Sequence, residues 1–67
     1  MASFKEKVEF EDVKAIRETV LALYCLIDGR GVWIPQSQID DNSEIWEAGD
    51  EGTLIISQWI AEQKGLV

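Results

Sequence analysis

Hydrophobic and polar residues alternate strictly near the start of the chain. Over residues 7–11 the apolar positions are Val8 and Phe10, and charged residues stand between and beside them. A period of two is typical of a strand with one buried face. We therefore predict a half-buried strand here, with Val8 and Phe10 on the same side.

Residues 12–27 allow two interpretations. Their apolar positions include spacings of three and four, which predict an amphipathic helix. However, residues 19–27 are apolar on both alternating faces and lead into a glycine-containing turn at 28–31 and the short apolar run 32–34. That order is typical of a β-hairpin. We favour the hairpin and keep the helix as the alternative.

In the hairpin interpretation the strand at residues 19–27 has two apolar faces. One face contains Val20, Ala22, Tyr24 and Leu26, and the other contains Leu21, Leu23, Cys25 and Ile27. One face can join the core of a small domain, and the other is a candidate contact between copies of the chain. We therefore predict a homo-oligomer.

The remainder of the chain predicts short elements. Trp33 is expected to be largely buried on the hairpin, and Pro35, which has no N–H group, should end the strand. The elements predicted after it are a tight turn at 37–39, a short strand at 44–47, a turn at 49–52, a strand at 53–56, and a helix capped by Ser57 and closed by Gly65. The predicted fold is one domain over residues 1–67, mainly β (α+β): a small bent antiparallel sheet or barrel with one short C-terminal helix.

Composition limits how such a small domain can be stabilised. Cys25 is the only cysteine and there is no histidine, so an intrachain disulfide and the common zinc ligand sets are excluded. We predict no metal and no cofactor. A cysteine in an apolar strand is an inert core residue more often than a nucleophile, and no catalytic constellation is present. We expect a protein that is not an enzyme.

Charge is distributed unevenly along the chain. Residues 1–39 hold six acids and five bases, a net charge of −1, whereas residues 40–67 hold seven acids against Lys64, a net charge of −6. The total of −7 disfavours direct binding of a nucleic-acid backbone, which needs many cationic contacts. The acidic residues could instead contact a basic host protein, or simply provide solubility. The candidate partner-binding set, whose neutralisation should leave the fold intact, is Asp40, Asp41, Asp50 and Glu51.

Two further patterns have a chemical interpretation. Tyr24 and the three tryptophans are expected as core or interface anchors, but they could also line a pocket between subunits and stack on a nucleotide-like ligand. The candidate ligand-binding set is Arg17, Arg30, Lys14, Trp33 and Trp46. Asp40, Asn42, Glu44 and Glu51 have the spacing of a calcium loop, but Ile45 replaces the required glycine, which favours a solvated acidic loop.

Neither a membrane span nor a signal peptide is indicated. The apolar run 20–27 is too short to cross a bilayer, and residues 1–5 lack the apolar stretch of a signal peptide. We expect a cytoplasmic protein, in a bacterial or infected host cell.

A longer pattern covers roughly residues 15–66. It comprises Trp33-Ile34-Pro35-x-Ser37-Gln38-Ile39, then Gly49-x-x-Gly52, then Trp59-x-Ala61-Glu62-x-Lys64-Gly65-Leu66. This pattern resembles a group of small uncharacterised proteins from phages and bacterial genomes. The resemblance implies a phage-type accessory protein that occupies or sequesters a host component. The alternatives are a nucleotide-sequestering protein and a structural or assembly module.

Overall fold

The computed structural model describes residues 6–67, in which four strands form one antiparallel sheet. The elements are β1 (Lys7–Glu18), β2 (Ala22–Ile27), β3 (Arg30–Pro35), a 3₁₀ turn (Gln36–Gln38), β4 (Glu51–Ser57) and α1 (Gln58–Gln63). The spatial order is β3-β2-β1-β4, so the fourth strand returns beside the first as in a Greek key. The predicted fold class is confirmed, and the sheet is open rather than closed into a barrel.

The β1–β2 hairpin corrects two predicted boundaries. Residues 12–18 extend β1, and β2 begins at Ala22 instead of residue 19. Val20 and Leu21 lie at the hairpin tip, where they are 92% and 78% exposed. The helical alternative for residues 12–27 is wrong. The positions with those spacings belong to two strands and the hairpin tip between them, and they do not share one face: Val13 is buried, whereas Ile16 and Val20 are 41% and 92% exposed. β1 also contains two register shifts, one between Phe10 and Val13 and one between Ala15 and Arg17.

The predicted β2–β3 hairpin is confirmed, but its turn is shorter than the predicted 28–31, because Arg30 and Gly31 belong to β3. Ile27 pairs with Arg30, so the loop has two residues, Asp28 and Gly29, with φ angles of 51° and 80°. Positive φ at both positions is the requirement of the type I′ turn, whose twist matches that of the flanking strands. β3 then ends at Pro35 and continues into the 3₁₀ turn. The predicted turn at 37–39 is confirmed within one residue.

The core lies on one face of the sheet, which we call the inner face. Leu23, Cys25 and Ile27 of β2 point into it and are buried. The segment 36–50 and α1 cover this face, and their buried apolar residues are Ile39, Ile45, Ile60 and Ala61. The opposite, outer face holds Ala22, Tyr24 and Leu26, which are half-buried. Of the two apolar faces predicted for β2, one therefore belongs to the core and the other is partly exposed to solvent.

The strand predicted at residues 44–47 is wrong, because this segment is part of a loop along the outer edge of β4. The N–H of Glu44 donates to the carbonyl of Thr53, and a carboxylate oxygen of Glu44 accepts from the N–H of Thr53, both at 2.8 Å. The Ser43 hydroxyl accepts from the N–H of Ile55 at 3.2 Å, and the N–H of Asp40 donates to the carbonyl of Ile55 at 2.8 Å. Side-chain oxygens thus replace part of a strand ladder.

The C-terminal prediction is confirmed. The Ser57 hydroxyl accepts from the N–H of Ile60 at 3.3 Å, which caps α1. Gly65, with a φ angle of 70°, follows the end of the helix. Within residues 6–67 no helix is long and apolar enough to cross a membrane.

Candidate functional site

Three side chains form a row across the outer face. Arg17 of β1 pairs with Tyr24 of β2, and Tyr24 pairs with Trp33 of β3. The Tyr24 and Trp33 ring centroids are 5.0 Å apart, with the planes tilted by 46°. The Tyr24 phenol also lies over Gly31, where a Cβ atom would collide with its hydroxyl. Glycine at this position therefore leaves room for the Tyr24 ring beside Trp33.

The predicted burial of Trp33 is wrong. Its side chain is 40% exposed, because Val32 and Ile34 take the inner positions of β3 and leave residue 33 on the outer face. Trp46, in the loop before β4, is 41% exposed. Trp59 alone of the three tryptophans packs against the core, where it is half-buried.

The predicted ligand-binding set is divided between separate parts of the molecule. Lys14 and Arg17 lie on β1 and Trp33 lies across β2 from them, so these three share one region. Arg30 donates from Nη1 to the Gly65 carbonyl at 3.3 Å, at the C-terminal end of the chain. Trp46 donates from Nε1 to the Ser43 carbonyl at 2.8 Å. Its loop lies beyond β4, which is the opposite edge of the sheet from β3.

Half of the predicted acidic set holds the loop before β4 in place. Asp40 contacts Lys7 at 3.3 Å and accepts from the N–H of Asn42 at 3.0 Å. The pKa of Asp40 is lowered, chiefly by the hydrogen bond from the Asn42 backbone; burial opposes this effect, and the Lys7 ammonium adds to the lowering. Asp50 accepts from the backbone N–H groups of Trp46 and Glu47 at 2.8 and 3.0 Å. Neutralising Asp40 and Asp50 would therefore disturb the loop, contrary to expectation, whereas Asp41 and Glu51 are simply exposed.

An acidic concavity that the sequence did not predict lies where β1 meets the β2–β3 turn. Its volume is about 490 Å³, it is open to solvent, and its lining residues are Glu9, Phe10, Glu11, Asp12 and Asp28. The pairing of Lys14 with Leu26 brings the turn beside the β1 bulge. Asp12 and Asp28 both have left-handed backbone conformations, with φ angles of 57° and 51°. The step of three between Phe10 and Val13 was the available signal, since it marks the bulge.

The charges around this acidic concavity suit an organic cation. The described residues contain one ion pair, between Lys7 and Asp40, and none of the four carboxylates of the concavity takes part in it. Phe10 adds an aromatic ring, which can attract an ammonium or guanidinium group. Residues 6–67 contain no group of three or more side chains arranged to hold a metal ion. The residues with the spacing of a calcium loop are not arranged around a common point either, since a carboxylate oxygen of one of them, Glu44, accepts from the N–H of Thr53.

Cys25 is buried at the centre of the sheet, as predicted. Burial raises the pKa of its thiol from 9.0 to about 11. The thiolate is the nucleophilic form of cysteine, so this side chain is chemically inert near neutral pH.

No family model matches the chain, and neither a curated protein nor a solved structure matches it.

Proposed function

We propose that this protein is a non-enzymatic binding module, of the phage-type accessory class that its sequence resembles, and that it acts in the cytoplasm by occupying a basic surface of a host protein. The observation that carries the proposal is the acidic concavity, which Phe10 and four acidic residues line and whose carboxylates take no part in the ion pair of the described residues. A lysine or arginine side chain of the partner would enter it.

Electrostatics supports this choice of partner. A cation that enters the concavity would be attracted by the negative charges that line it. The net charge of −7 adds a long-range field that accelerates the approach of a basic surface. Two of the carboxylates stand on a tight turn and a bulge, so their backbones are held in place before binding occurs. Little ordering is then needed when the partner arrives.

The test measures the affinity of the protein for a deca-lysine peptide and a deca-arginine peptide by isothermal titration calorimetry. The concavity variant combines Glu9→Gln, Glu11→Gln, Asp12→Asn and Asp28→Asn, in which asparagine suits the two left-handed positions. We expect its affinity to fall at least tenfold. We also expect the affinity of the unmodified protein to fall steeply as salt rises, because salt screens exposed charges.

A matched control separates the concavity from net charge. The control variant neutralises four exposed acids elsewhere, Glu6→Gln, Asp41→Asn, Glu47→Gln and Glu51→Gln. Both variants change the net charge from −7 to −3, since each loses four negative charges. We expect the control to lose much less affinity than the concavity variant. Equal losses would show that only overall charge matters, and an absence of binding at low salt would refute the proposal.

A nucleotide-like ligand is the second candidate, favoured by the row of Arg17, Tyr24 and Trp33 on the outer face. The rings could stack on a base while Arg17 contacts a phosphate. In a thermal-shift screen of mono-, di- and cyclic nucleotides, stabilisation should grow with ligand concentration. Arg17→Ala should abolish it, whereas Arg30→Ala is a matched control because Arg30 contacts Gly65 instead. No shift with any nucleotide would exclude this candidate.

A further inference from the structure

The two edges of the sheet differ in how their main-chain groups are satisfied. The loop before β4 supplies hydrogen bonds to Thr53 and Ile55 along the outer edge of β4. β3 forms the other edge, and no element within residues 6–67 pairs with its outer side. An uncovered strand edge is a template for pairing with another strand.

The orientation of the β3 main-chain groups follows from the hairpin. Ile27 and Arg30 flank a two-residue loop, so they form a hydrogen-bonded pair, and in an antiparallel ladder every second pair does the same. The N–H of Gln36 donates to the Leu21 carbonyl at 2.8 Å, which fits the same alternation. Gly31 and Trp33 consequently direct both their N–H and C=O groups outward, and Pro35 directs a carbonyl outward.

The distribution of charge makes this edge suitable for a second copy of the chain. β3 contains one charged residue, Arg30. The acids of residues 40–51 lie on the β4 side of the sheet, separated from β3 by β2 and β1. Two copies that meet at β3 therefore place their most acidic parts at opposite ends of the combined sheet. Meeting at β4 would bring those acids together.

We propose that β3 pairs with β3 of a second copy, antiparallel and about a two-fold axis, to form one continuous sheet. Two registers are compatible with the outward groups of β3. In one, Trp33 lies opposite Trp33 of the second copy, and in the other it lies opposite Gly31 of that copy. Each register joins outward donors to outward acceptors through about four backbone hydrogen bonds. In both registers the Tyr24 and Trp33 rings of the two copies form one aromatic surface on the outer face.

The contact is small, so the dimer should be weak. A single pair of short strands lies at the low end of specific interface sizes, and we expect a dissociation constant in the micromolar range or weaker. Each copy has a net charge of −7, so the copies repel each other at long range. Salt screens that repulsion, with a screening length of about 10 Å at 0.1 M and about 3 Å at 1 M. Dimerisation should therefore strengthen with salt, whereas binding of a basic partner should weaken.

Sedimentation equilibrium between 10 µM and 1 mM chain tests the proposal. The unmodified protein should change from the 7.6 kDa monomer towards twice that mass. Trp33→Lys puts a charge at the edge and should weaken dimerisation at least tenfold. Ile16→Lys is the matched control, because Ile16 is exposed to a similar degree, 41% against 40%, but lies on β1 in the interior of the sheet. It should leave dimerisation unchanged.

Amide hydrogen exchange of the unmodified protein supplies a second measurement that does not depend on the stability of a variant. The N–H groups of Gly31 and Trp33 should become protected as concentration rises, whereas those of Val32 and Ile34, which face β2, should be protected throughout. A monomer at all concentrations would overturn the proposal. So would a dimer in which Gly31 and Trp33 exchange as fast as in the monomer, or one that Ile16→Lys disrupts as strongly as Trp33→Lys. If the chain stays monomeric and an added peptide of different sequence protects the Gly31 and Trp33 amides, the β3 edge binds another partner and the dimer is refuted.

Discussion

Truncation of Ile45 should destabilise the protein far more than its position in a loop suggests. Ile45 is fully buried, although no strand or helix contains it. Ile45→Ala removes three carbon groups, worth about 0.8 kcal/mol each in transfer from water, and leaves a cavity. The sum is about 3 to 4 kcal/mol. A domain of this size has a total stability of roughly 3 to 10 kcal/mol, so this one side chain accounts for a large share.

The matched control is Ile16→Ala, which makes the same chemical change at a side chain that is 41% exposed on the outer face. We expect it to cost about 1 kcal/mol, because much of its surface already contacts water. Urea unfolding followed by tryptophan fluorescence measures both free energies of unfolding, since neither variant removes a tryptophan. The melting temperature of Ile45→Ala should fall by about 15 °C or more.

Equal costs for the two variants, or a cost below about 1 kcal/mol for Ile45→Ala, would refute the reasoning. The segment 36–50 would then not close the inner face of the sheet in solution. Both variants keep the charge of the chain, and the lower strand preference of alanine adds only to the cost of Ile16→Ala, so a larger cost for Ile45→Ala reflects its burial.

Two further predictions concern β2 and β3. Gly31→Ala should cost about 1 to 3 kcal/mol and alter the near-ultraviolet circular dichroism, because the new Cβ displaces the Tyr24 phenol from Trp33; an unchanged aromatic signal would contradict this contact. Burial raises the pKa of Cys25 from 9.0 to about 11, so the folded state holds the thiol proton more tightly than the unfolded state. The resulting stabilisation is fully present below pH 9 and is lost as the pH rises through about 11. Urea unfolding at pH 8 to 11 should therefore show a free energy of unfolding that falls more steeply with pH for the unmodified protein than for Cys25→Ala.

Local rules were sufficient for the elements whose signals are short-range. Asp28-Gly29 specifies a type I′ hairpin because both positions accept positive φ, and Pro35 ends β3 because it has no N–H group. Ser57 caps α1 through a hydroxyl only three residues from its donor. Each of these interactions lies within a few residues of chain, so the sequence itself contains both partners.

Elements that depend on distant partners were placed less well. The strand predicted at residues 44–47 is a loop because Ser43 and Glu44 bond to β4, about ten residues later in the chain. Trp33 is exposed because Val32 and Ile34 meet the core first, and alternation along a strand leaves it the other face. Apolar character alone did not distinguish the two faces.

The sequence by itself determined the fold class, the β2–β3 turn, the helix cap and the inert thiol at Cys25. Only the tertiary structure decided which charges and rings lie together. It brought Arg17, Tyr24 and Trp33 into one row, separated them from Arg30 and Trp46, and assembled the acidic concavity from β1 and a turn sixteen residues away. The physical reason is that strand register sets these neighbours, and register depends on long-range pairing and on bulges, which local residue preferences do not encode.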